Sequence, residues 1–183
     1  MDEFQRSKSQ DRVWRRNSDL RIAEADSIDN EEAYDLYRRY IEGRHSDGDM
    51  YPPDRDQYSS FLNNGLGCTR YFELRHEDQL IAVLVADQML DGLSAIYTFY
   101  DPSEEKRSLG TFAVLFQIEE AKRLSLDYVY LGYWIQNCGK MNYKARFSPL
   151  ELLQSGCWQR RDNLPEGGDL GPSMPLRFVD KPE

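Results

Sequence analysis

Residues 69–101 read TRYFELRHEDQLIAVLVADQMLDGLSAIYTFYD, and this stretch decides the fold. It contains three runs rich in β-branched and aromatic residues, TRYFELRH, LIAVLVADQML and GLSAIYTFYD. Glu77-Asp78 and Asp91-Gly92 separate the runs, and such acidic or glycine-containing pairs are typical of hairpin turns. The pattern therefore predicts three successive antiparallel strands.

Two helices are predicted before these strands. In residues 30–44 the apolar side chains recur at helical spacing, so one face of this segment is expected in the core. Residues 54–62 follow the stop signal Pro52-Pro53 and again place apolar residues on one side. Between the two helices, Arg44 to Tyr51 form a loop dense in groups that titrate or bind.

After the strands, residues 102–106 are expected to form a polar turn and residues 108–123 an amphipathic helix. The β-rich run DYVYLGYWI, residues 127–135, predicts a buried strand, and residues 149–154 a last one. The order helix, helix, three-stranded meander, helix, strand and further strand is that of an α+β fold with a mixed sheet.

A chain of 183 residues that is 40% hydrophobic is expected to form one domain with tails. Residues 1–18 are rich in Arg and Ser and are expected to be a polar arm, either flexible or the remnant of a segment whose upstream part is absent. Residues 19–160 are assigned to the folded domain. Residues 161–183, with Gly167-Gly168 and several prolines, are expected to be a disordered tail.

Composition excludes several classes of protein. No stretch approaches the roughly 18 apolar residues of a membrane helix, and the charged first residues do not resemble a secretory signal, so the chain is expected in the cytoplasm and away from membranes. Cys68, Cys138 and Cys157 form no CxxC pair, which predicts neither a metal site nor a disulfide framework. They are expected to be reduced thiols, mostly packed in the interior.

The charge is unevenly distributed along the chain. A net charge of −9 argues against a dedicated nucleic-acid binder, because phosphate contacts need Lys and Arg. Residues 22–106, however, carry 7 basic and 19 acidic side chains, whereas residues 107–146 carry 6 basic and 3 acidic ones. A nucleic-acid end is therefore expected to meet the second half of the chain.

The corner Arg107-Ser108-Leu109-Gly110 joins the last strand of the meander to the following helix. Backbone N–H groups at a helix N-terminus provide a site for phosphate, so a phosphate-bearing donor is expected here. The alternative is an ordinary helix cap, because many helices start with Ser and Gly.

Five segments give the chain a family resemblance: RHSDGDMYPP (44–53), GLSAIYTFYDP (92–102), RSLGTFAVLFQI (107–118), YVYLGYWIQNC (128–138) and KMNYKARFSPLELL (140–153). Together they resemble consecutive signatures of the bacterial aspartate/glutamate leucyltransferases, which are relatives of the arginyl-tRNA:protein transferases. The resemblance runs from about residue 16 to about residue 158 and implies the acyl-CoA N-acyltransferase (GNAT-like) fold.

The resemblance also implies an activity and its partners. Leucine would pass from Leu-tRNA to proteins that begin with Asp or Glu, marking them for degradation through the N-degron (N-end rule) pathway. Neither a cofactor nor a metal is expected, because the ester of charged tRNA is already activated, and DNA is not an expected partner. Members of the family carry an additional amino-terminal region with clustered cysteines, which is missing here.

The reaction is attack of an α-amine on an ester, so a base and a group that stabilises the oxyanion are needed. The candidate bases are His45, Asp49 and Asp87, with Asp47 beside them; histidine has the most suitable intrinsic pKa. The alternative is that His45 organises its loop and that the aspartates shape a glycine turn.

Both substrates need recognition groups. Arg44 is expected to pair with an acidic acceptor, and Asp47, Tyr97 and Tyr100 are assigned to the acceptor side. The donor is assigned to Arg107, Ser108 and Gly110 for its phosphate or ribose, and to Tyr133 and Trp134 for its leucyl or adenosine group. The remaining candidates, expected near the tRNA, are Lys140, Tyr143, Lys144 and Arg146.

Three other functions stay open from the sequence. Arginyl transfer to the same acceptors is the nearest variant. An acetyl-CoA-dependent N-acetyltransferase would share the fold, although RSLG lacks the richer glycine pattern of a pyrophosphate cradle. The last alternative is an inactive module that binds tRNA or degrons.

Overall fold

A computed structural model of the chain describes residues 4–62, 67–135, 141–161 and 174–179. Its framework is an eight-stranded sheet in the order β1-β2-β3-β4-β5-β8-β6-β7. The strands are β1 Leu20–Ala25, β2 Thr69–His76, β3 Gln79–Gln88, β4 Gly92–Tyr100, β5 Tyr128–Trp134, β6 Leu150–Gln154, β7 Cys157–Arg160 and β8 Met174–Val179. Neighbouring strands are antiparallel except β4 and β5, which are parallel.

Helices cover both faces of the sheet. They are α1 Lys8–Arg16, α2 Glu31–Arg44, α3 Arg55–Leu62 and α4 Leu109–Arg123, with short 3₁₀ helices at Pro102–Arg107 and Lys144–Arg146. Val83 and Val85 of β3 pack with α2 and α3, whereas Ala82 and Leu84 pack with α4. Because alternate side chains of a strand point to opposite faces, α2 and α3 lie on one side of the sheet and α4 on the other. No helix among the described residues is long and apolar enough to cross a membrane.

The structure confirms the predicted α+β fold with a mixed sheet. The meander forms β2, β3 and β4, and helices occupy the predicted segments as α2, α3 and α4. Asn30 caps α2 by accepting a hydrogen bond from the N–H of Ala33 at 2.8 Å. The predicted polar turn is the 3₁₀ helix Pro102–Arg107. In β5, expected to be buried throughout, only Val129, Leu131 and Trp134 are buried.

The expected polar arm contains an ordered helix, α1, which is followed by the edge strand β1. Ser7 and Gln10 form a capping box at the start of α1. The sequence contains this pattern, but the many polar residues around it favoured the prediction of a polar arm. The ring of Trp14 packs 5.3 Å from that of Phe112 in α4. The helix is therefore held by tertiary packing, and of the two alternatives for this segment the flexible arm does not apply to Lys8–Arg16.

The expected disordered tail contains a strand. Met174–Val179 form β8, which lies between β5 and β6 inside the sheet. Leu176 is buried, and the buried Arg177 donates from Nε to Glu151 at 2.7 Å. The polar composition of residues 161–183 did not predict this strand, because its order depends on pairing with β5 and β6.

The cysteines only partly follow the prediction of buried thiols. Cys68 is half-buried and Cys157 is exposed on β7, and both are free. Cys138 lies outside the described residues. Cys157 lies at the start of β7, a four-residue strand that the sequence pattern did not predict. This strand is at the end of the sheet and, among the described residues, pairs with β6 on one side only.

Candidate active site

A cleft of about 650 Å³ opens where β4 and β5 separate. The two strands pair only from Gly92 to Ser94 and from Tyr128 to Tyr130. Beyond these pairs, the register of β4 against β3 shifts so that Ile96 is an extra residue, and β5 has its own irregularity at Leu131 and Gly132. Bulges of this kind increase local twist, which explains why the strands diverge here.

The first turns of α4 form one wall of the cleft. Gly110, Val114 and Gln117 recur at helical spacing and all line it. Ser108 precedes the helix in the left-handed conformation, with φ of 55°, and makes no side-chain cap. A Cβ atom placed on Gly110 would meet nothing within 4 Å, so the helix start faces open space. A ligand can therefore approach this wall closely and accept hydrogen bonds from its backbone N–H groups.

Gln117 is the buried polar group of this wall. Its side chain belongs to a residue only 1% exposed, and its Oε1 has no hydrogen-bond partner among the described residues. A buried acceptor without a partner costs free energy, so this atom indicates a site for a donor group.

Four tyrosines, Tyr40, Tyr97, Tyr100 and Tyr143, also line the cleft. The ring of Tyr40 lies 4.9 Å from that of Tyr100 and 6.3 Å from that of Tyr97. Burial is the main cause that raises the pKa of all four hydroxyls. They therefore stay protonated at neutral pH and can donate hydrogen bonds to a substrate.

The end of α2 brings a histidine and an arginine to the same wall. Nε2 of His45 lies 3.3 Å from the hydroxyl of Tyr40, and the two rings are in contact at 5.2 Å. Arg44 donates to Glu105 at 3.1 Å and lies over the ring of Tyr100. Since the Glu105 side chain is 74% exposed, this ion pair is solvated and can exchange at low cost.

Lys144 closes the cleft at the diverging end of β5. Its Nζ donates to the carbonyl oxygens of Leu131 at 2.7 Å and Tyr133 at 2.9 Å. These carbonyls flank Gly132, which has φ of 69° and is therefore at a position that favours glycine. Burial lowers the pKa of Lys144.

The cleft is cationic although the chain is acidic. Arg44, Lys106 and Lys144 line it, and Glu105 is the only carboxylate among its described lining residues. The cleft thus has the charge that an anionic substrate needs, in a protein whose net charge is −9.

Eight of the residues proposed from the sequence meet in this cleft: Arg44, His45, Tyr97, Tyr100, Ser108, Gly110, Tyr143 and Lys144. The sequence placed them in four separate segments, and the divergence of β4 from β5 brings them together. The distances between these groups depend on the fold and could not be read from the sequence.

Seven others lie outside the described lining: Asp47, Asp49, Asp87, Arg107, Tyr133, Trp134 and Arg146. Asp87 accepts a hydrogen bond from Thr69 at 2.6 Å between β2 and β3. The guanidinium of Arg107 is held by Asp19 and Glu104, both at 2.8 Å. Lys140 lies outside the described residues.

The two aromatic residues that follow Gly132 are placed differently from what was expected of a donor pocket. Trp134 is buried in the core with α4, β6 and β8. Tyr133 is 62% exposed and pairs with Pro175 of β8. The positive φ of Gly132 changes the direction of the strand at this point, which alternation along the sequence could not reveal.

Comparison with known proteins gives the family. Residues 32–154 match the model described as "Arginine-tRNA-protein transferase, C terminus". The chain belongs to this family. A protein of Pseudomonas fluorescens strain Pf0-1 named "Aspartate/glutamate leucyltransferase" is 53% identical over 156 residues, and one of strain Pf-5 with the same name is 55% identical. The matches cover 85% of this chain and 66% of each relative.

Solved structures show the fold of this transferase-family domain. The ribosomal-protein-S18-alanine N-acetyltransferase of Escherichia coli superposes with a TM-score of 0.59 at 15% identity, covering 87% of this chain and 93% of that one. A Bacillus subtilis acetyltransferase in complex with CoA gives 0.53 at 15% identity, covering 88% and 99%. The likeness confirms the predicted GNAT-like fold.

Several residues of the cleft were missed by sequence reasoning: Tyr40, Glu105, Lys106, Thr111, Gln117 and Met141. Tyr40 lies in the segment whose apolar face was expected in the core and is only 9% exposed, but its hydroxyl lies 3.3 Å from Nε2 of His45. A glutamine inside an otherwise apolar stretch, VLFQI, was the signal available for Gln117. Buried polar residues in such stretches need a partner, so they point to a site.

Proposed function

We propose that this chain transfers leucine from Leu-tRNA to the α-amine of proteins that begin with Asp or Glu. The observation that carries the proposal is the 53% identity to a protein named aspartate/glutamate leucyltransferase. The family match, residues 32–154, also contains every residue that lines the cleft. The chain spans 66% of the length of these relatives. Because the relatives are longer than this chain, their substrates are part of the proposal for this domain.

The chemistry asked of the cleft is modest. The acceptor nitrogen attacks the ester carbonyl, the new C–N bond forms, and the C–O bond to the terminal ribose breaks. The amine must lose a proton, and the ribose oxygen must gain one. Because the ester is already activated, positioning of the two substrates accounts for most of the rate enhancement.

His45 is our proposal for the group that moves this proton. It lies at the cleft wall, and the hydroxyl of Tyr40 at 3.3 Å is close enough to orient its ring. Histidine can accept a proton from the amine and return it to the ribose oxygen near neutral pH. Asp49 and Asp87 are less suited, because they lie outside the described lining of the cleft.

Arg44 is proposed to bind the acidic side chain of the acceptor. Its guanidinium is already paired with a carboxylate, that of Glu105, at the cleft. An acceptor aspartate or glutamate would take the place of Glu105 and form the bidentate pair that arginine favours.

The donor is proposed to lie along α4. The open approach to Gly110 suits the ribose and phosphate of the terminal nucleoside. Gln117 offers its Oε1, which has no partner among the described residues, to a donor N–H or O–H. The apolar lining beside it, Val114 and Leu131, suits a leucyl side chain. Lys144 is assigned to the shape of this pocket through its bonds to β5. Because charged tRNA is a cytoplasmic substrate, the protein is proposed to act in the cytoplasm.

The deciding experiment is transfer of radiolabelled leucine, with arginine in parallel, from charged tRNA to peptides that begin with Asp, Glu or Ala. The full chain is used, with His45→Gln as the catalytic variant and the exposed Arg21→Gln as its matched control. Leucine on the Asp and Glu peptides, lost only in His45→Gln, supports the proposal. Acetyl transfer from acetyl-CoA without leucine transfer would replace it by the N-acetyltransferase alternative.

A further inference from the structure

A second pocket, of about 360 Å³, lies beside the cleft. Its walls are α1, the start of α4 and the segment from Tyr143 to Phe147. Ser108, Thr111 and Tyr143 line both this pocket and the cleft. The first turn of α4 therefore borders two adjoining spaces, of which the proposed function uses only the first.

Three arginines, Arg12, Arg16 and Arg146, line the second pocket, which we call the arginine pocket. Among its described lining residues there is no carboxylate. Most arginines of the described chain use their guanidinium on a carboxylate, as Arg70 does with Glu24 and Glu120. Within that same part of the chain, the exposed side chains of Arg12 and Arg146 have neither a hydrogen bond nor an ion pair.

This concentration of unpaired positive charge is unusual for a chain with a net charge of −9. Arginine provides planar donor groups that match phosphate oxygens, and two unpaired guanidinium groups around one space are ready to bind an anion. The polar lining of Ser9, Gln10 and Ser108 adds neutral groups.

Helix α1 is held firmly in the position that forms this pocket. Arg16 donates from its guanidinium to the carbonyl of Lys106. Nδ2 of Asn17 donates to the carbonyl of Arg107 at 2.9 Å, and Nε2 of Gln10 donates to that of Arg146 at 3.4 Å. These bonds tie α1 both to the turn before α4 and to the opposite wall, so the arginines do not depend on a flexible segment.

We propose that the arginine pocket binds a backbone phosphodiester of the donor RNA, next to the terminal nucleoside held in the cleft. The inference rests on the proposed function. A single strand whose last nucleotide lies against Gly110 must leave past the first turn of α4, and the arginine pocket borders that turn. Phosphate contacts of this type position a nucleic acid without reading its sequence.

The proposal extends the donor site beyond the residues that match the family model. Arg12 and Arg16 lie on α1, whereas the family match begins at residue 32. Helix α1 thereby gains a role in substrate binding in addition to its packing on α4.

The test is binding of a fluorescent single-stranded RNA of about six nucleotides ending in CCA to the full chain over a range of salt concentrations. Each phosphate contact to a single strand contributes about 0.7 to the slope of log K against log salt. Because both arginines are proposed to hold the same phosphate, Arg12→Gln, Arg146→Gln and the double variant should all lower the slope by the same amount, about 0.7, which weakens binding about fivefold at about 0.1 M salt. Arg15→Gln is the matched control, because Arg15 lies on the same helix, 80% exposed, outside the pocket.

An RNA with one uncharged methylphosphonate linkage near its 3′ end identifies the phosphate. In the wild-type chain this change should lower the slope as Arg12→Gln does, and in Arg12→Gln it should have little further effect. Equal losses from a linkage at either end of the RNA, or displacement of the RNA by inorganic phosphate alone, would show a general anion site and overturn the proposal.

The failure of this inference can be told from the failure of the proposed function. If the wild-type chain transfers leucine and binds RNA, but the variants keep the wild-type slope, only the proposal for the arginine pocket is ruled out. A rise in KM for the Asp peptide in Arg12→Gln, with RNA binding unchanged, would reassign the pocket to the acceptor. If the wild-type chain neither transfers leucine nor binds RNA, both the proposed function and the arginine-pocket proposal are ruled out.

Discussion

The ammonium group of Lys144 lies 2.7 Å from the carbonyl oxygen of Leu131, and this hydrogen bond holds the diverging end of β5. A second bond from the same Nζ, to Tyr133, spans the bulge at Gly132. The cleft thus keeps its shape through a side chain that the sequence suggested as a contact for tRNA.

Lys144→Met should narrow or distort the cleft, because both carbonyls lose their donor. Hydrogen bonds from a charged group contribute about 1.5–3 kcal/mol, so the free energy of unfolding should fall by about 1–3 kcal/mol in urea titrations. Leucine transfer should fall as well. Lys122→Met, which removes a lysine 3.6 Å from Glu119 on α4, is the control and should change stability by less than about 1 kcal/mol. A fully stable Lys144→Met would contradict the assigned role.

Acceptor selection should depend on Arg44 and Glu105. Arg44→Ala should reduce the preference for Asp over Ala peptides, because the cation for the acidic side chain is lost. Glu105→Gln should have the opposite effect, since the acceptor no longer competes with a resident carboxylate 3.1 Å away. An exposed pair is worth up to about 1 kcal/mol, so KM for the Asp peptide should fall by no more than about fivefold. Peptide kinetics that leave discrimination unchanged in Arg44→Ala would remove Arg44 from acceptor recognition.

Two glycine substitutions should separate function from stability. Gly110→Ala adds a methyl group to open space at the start of α4. The free energy of unfolding should therefore stay the same or rise by about 0.5–1 kcal/mol, whereas KM for the donor should rise. Gly92→Ala would place Cβ 2.7 Å from the carbonyl oxygen of Tyr128 and should destabilise the β4–β5 pair by about 1–3 kcal/mol. Calorimetry and donor kinetics on both variants test this, and a destabilised Gly110→Ala would contradict it.

Gln117→Leu should make the protein more stable and less active. The substitution removes a buried acceptor that has no partner among the described residues, and such an atom costs about 1–3 kcal/mol. Unfolding in urea should therefore shift to higher concentration while leucine transfer decreases. Gln57→Leu, on the exposed surface of α3, is the control. If Gln117→Leu lost stability instead, the amide would have a structural partner and not a substrate.

Acid stability should depend on Asp101 at the end of β4. Burial tends to raise the pKa of this carboxyl, but hydrogen bonds from Ser103 and Arg39 outweigh it and hold the pKa below its ordinary value of 3.8. A carboxyl with a lowered pKa stabilises the fold fully above pH 3.8 and loses that contribution as the pH falls through its folded-state value. Asp101→Asn should therefore destabilise at pH 7 by about 1–3 kcal/mol and by less below pH 3.8. Urea unfolding at both pH values measures this, and an unchanged difference would contradict it.

The sequence determined the parts that depend on local patterns. Hairpin turns at Glu77-Asp78 and Asp91-Gly92 fixed the meander, and helical spacing fixed α2, α3 and α4, because these signals lie within a few neighbouring residues. The quoted motifs identified the family, and they also delimited the region of the cleft. Eight of the residues proposed from these motifs line the cleft.

Tertiary structure alone decided the parts that depend on distant partners. Strand β8 is ordered because it pairs between β5 and β6, where Leu176 is buried and Arg177 binds Glu151. Helix α1 is ordered because Trp14 packs on Phe112. The direction of a side chain after a bulge, as at Gly132, cannot be counted along the sequence. The same is true of charge: the chain is acidic as a whole, and only folding gathers Arg12, Arg16 and Arg146 around one pocket, because electrostatic recognition depends on distance in space.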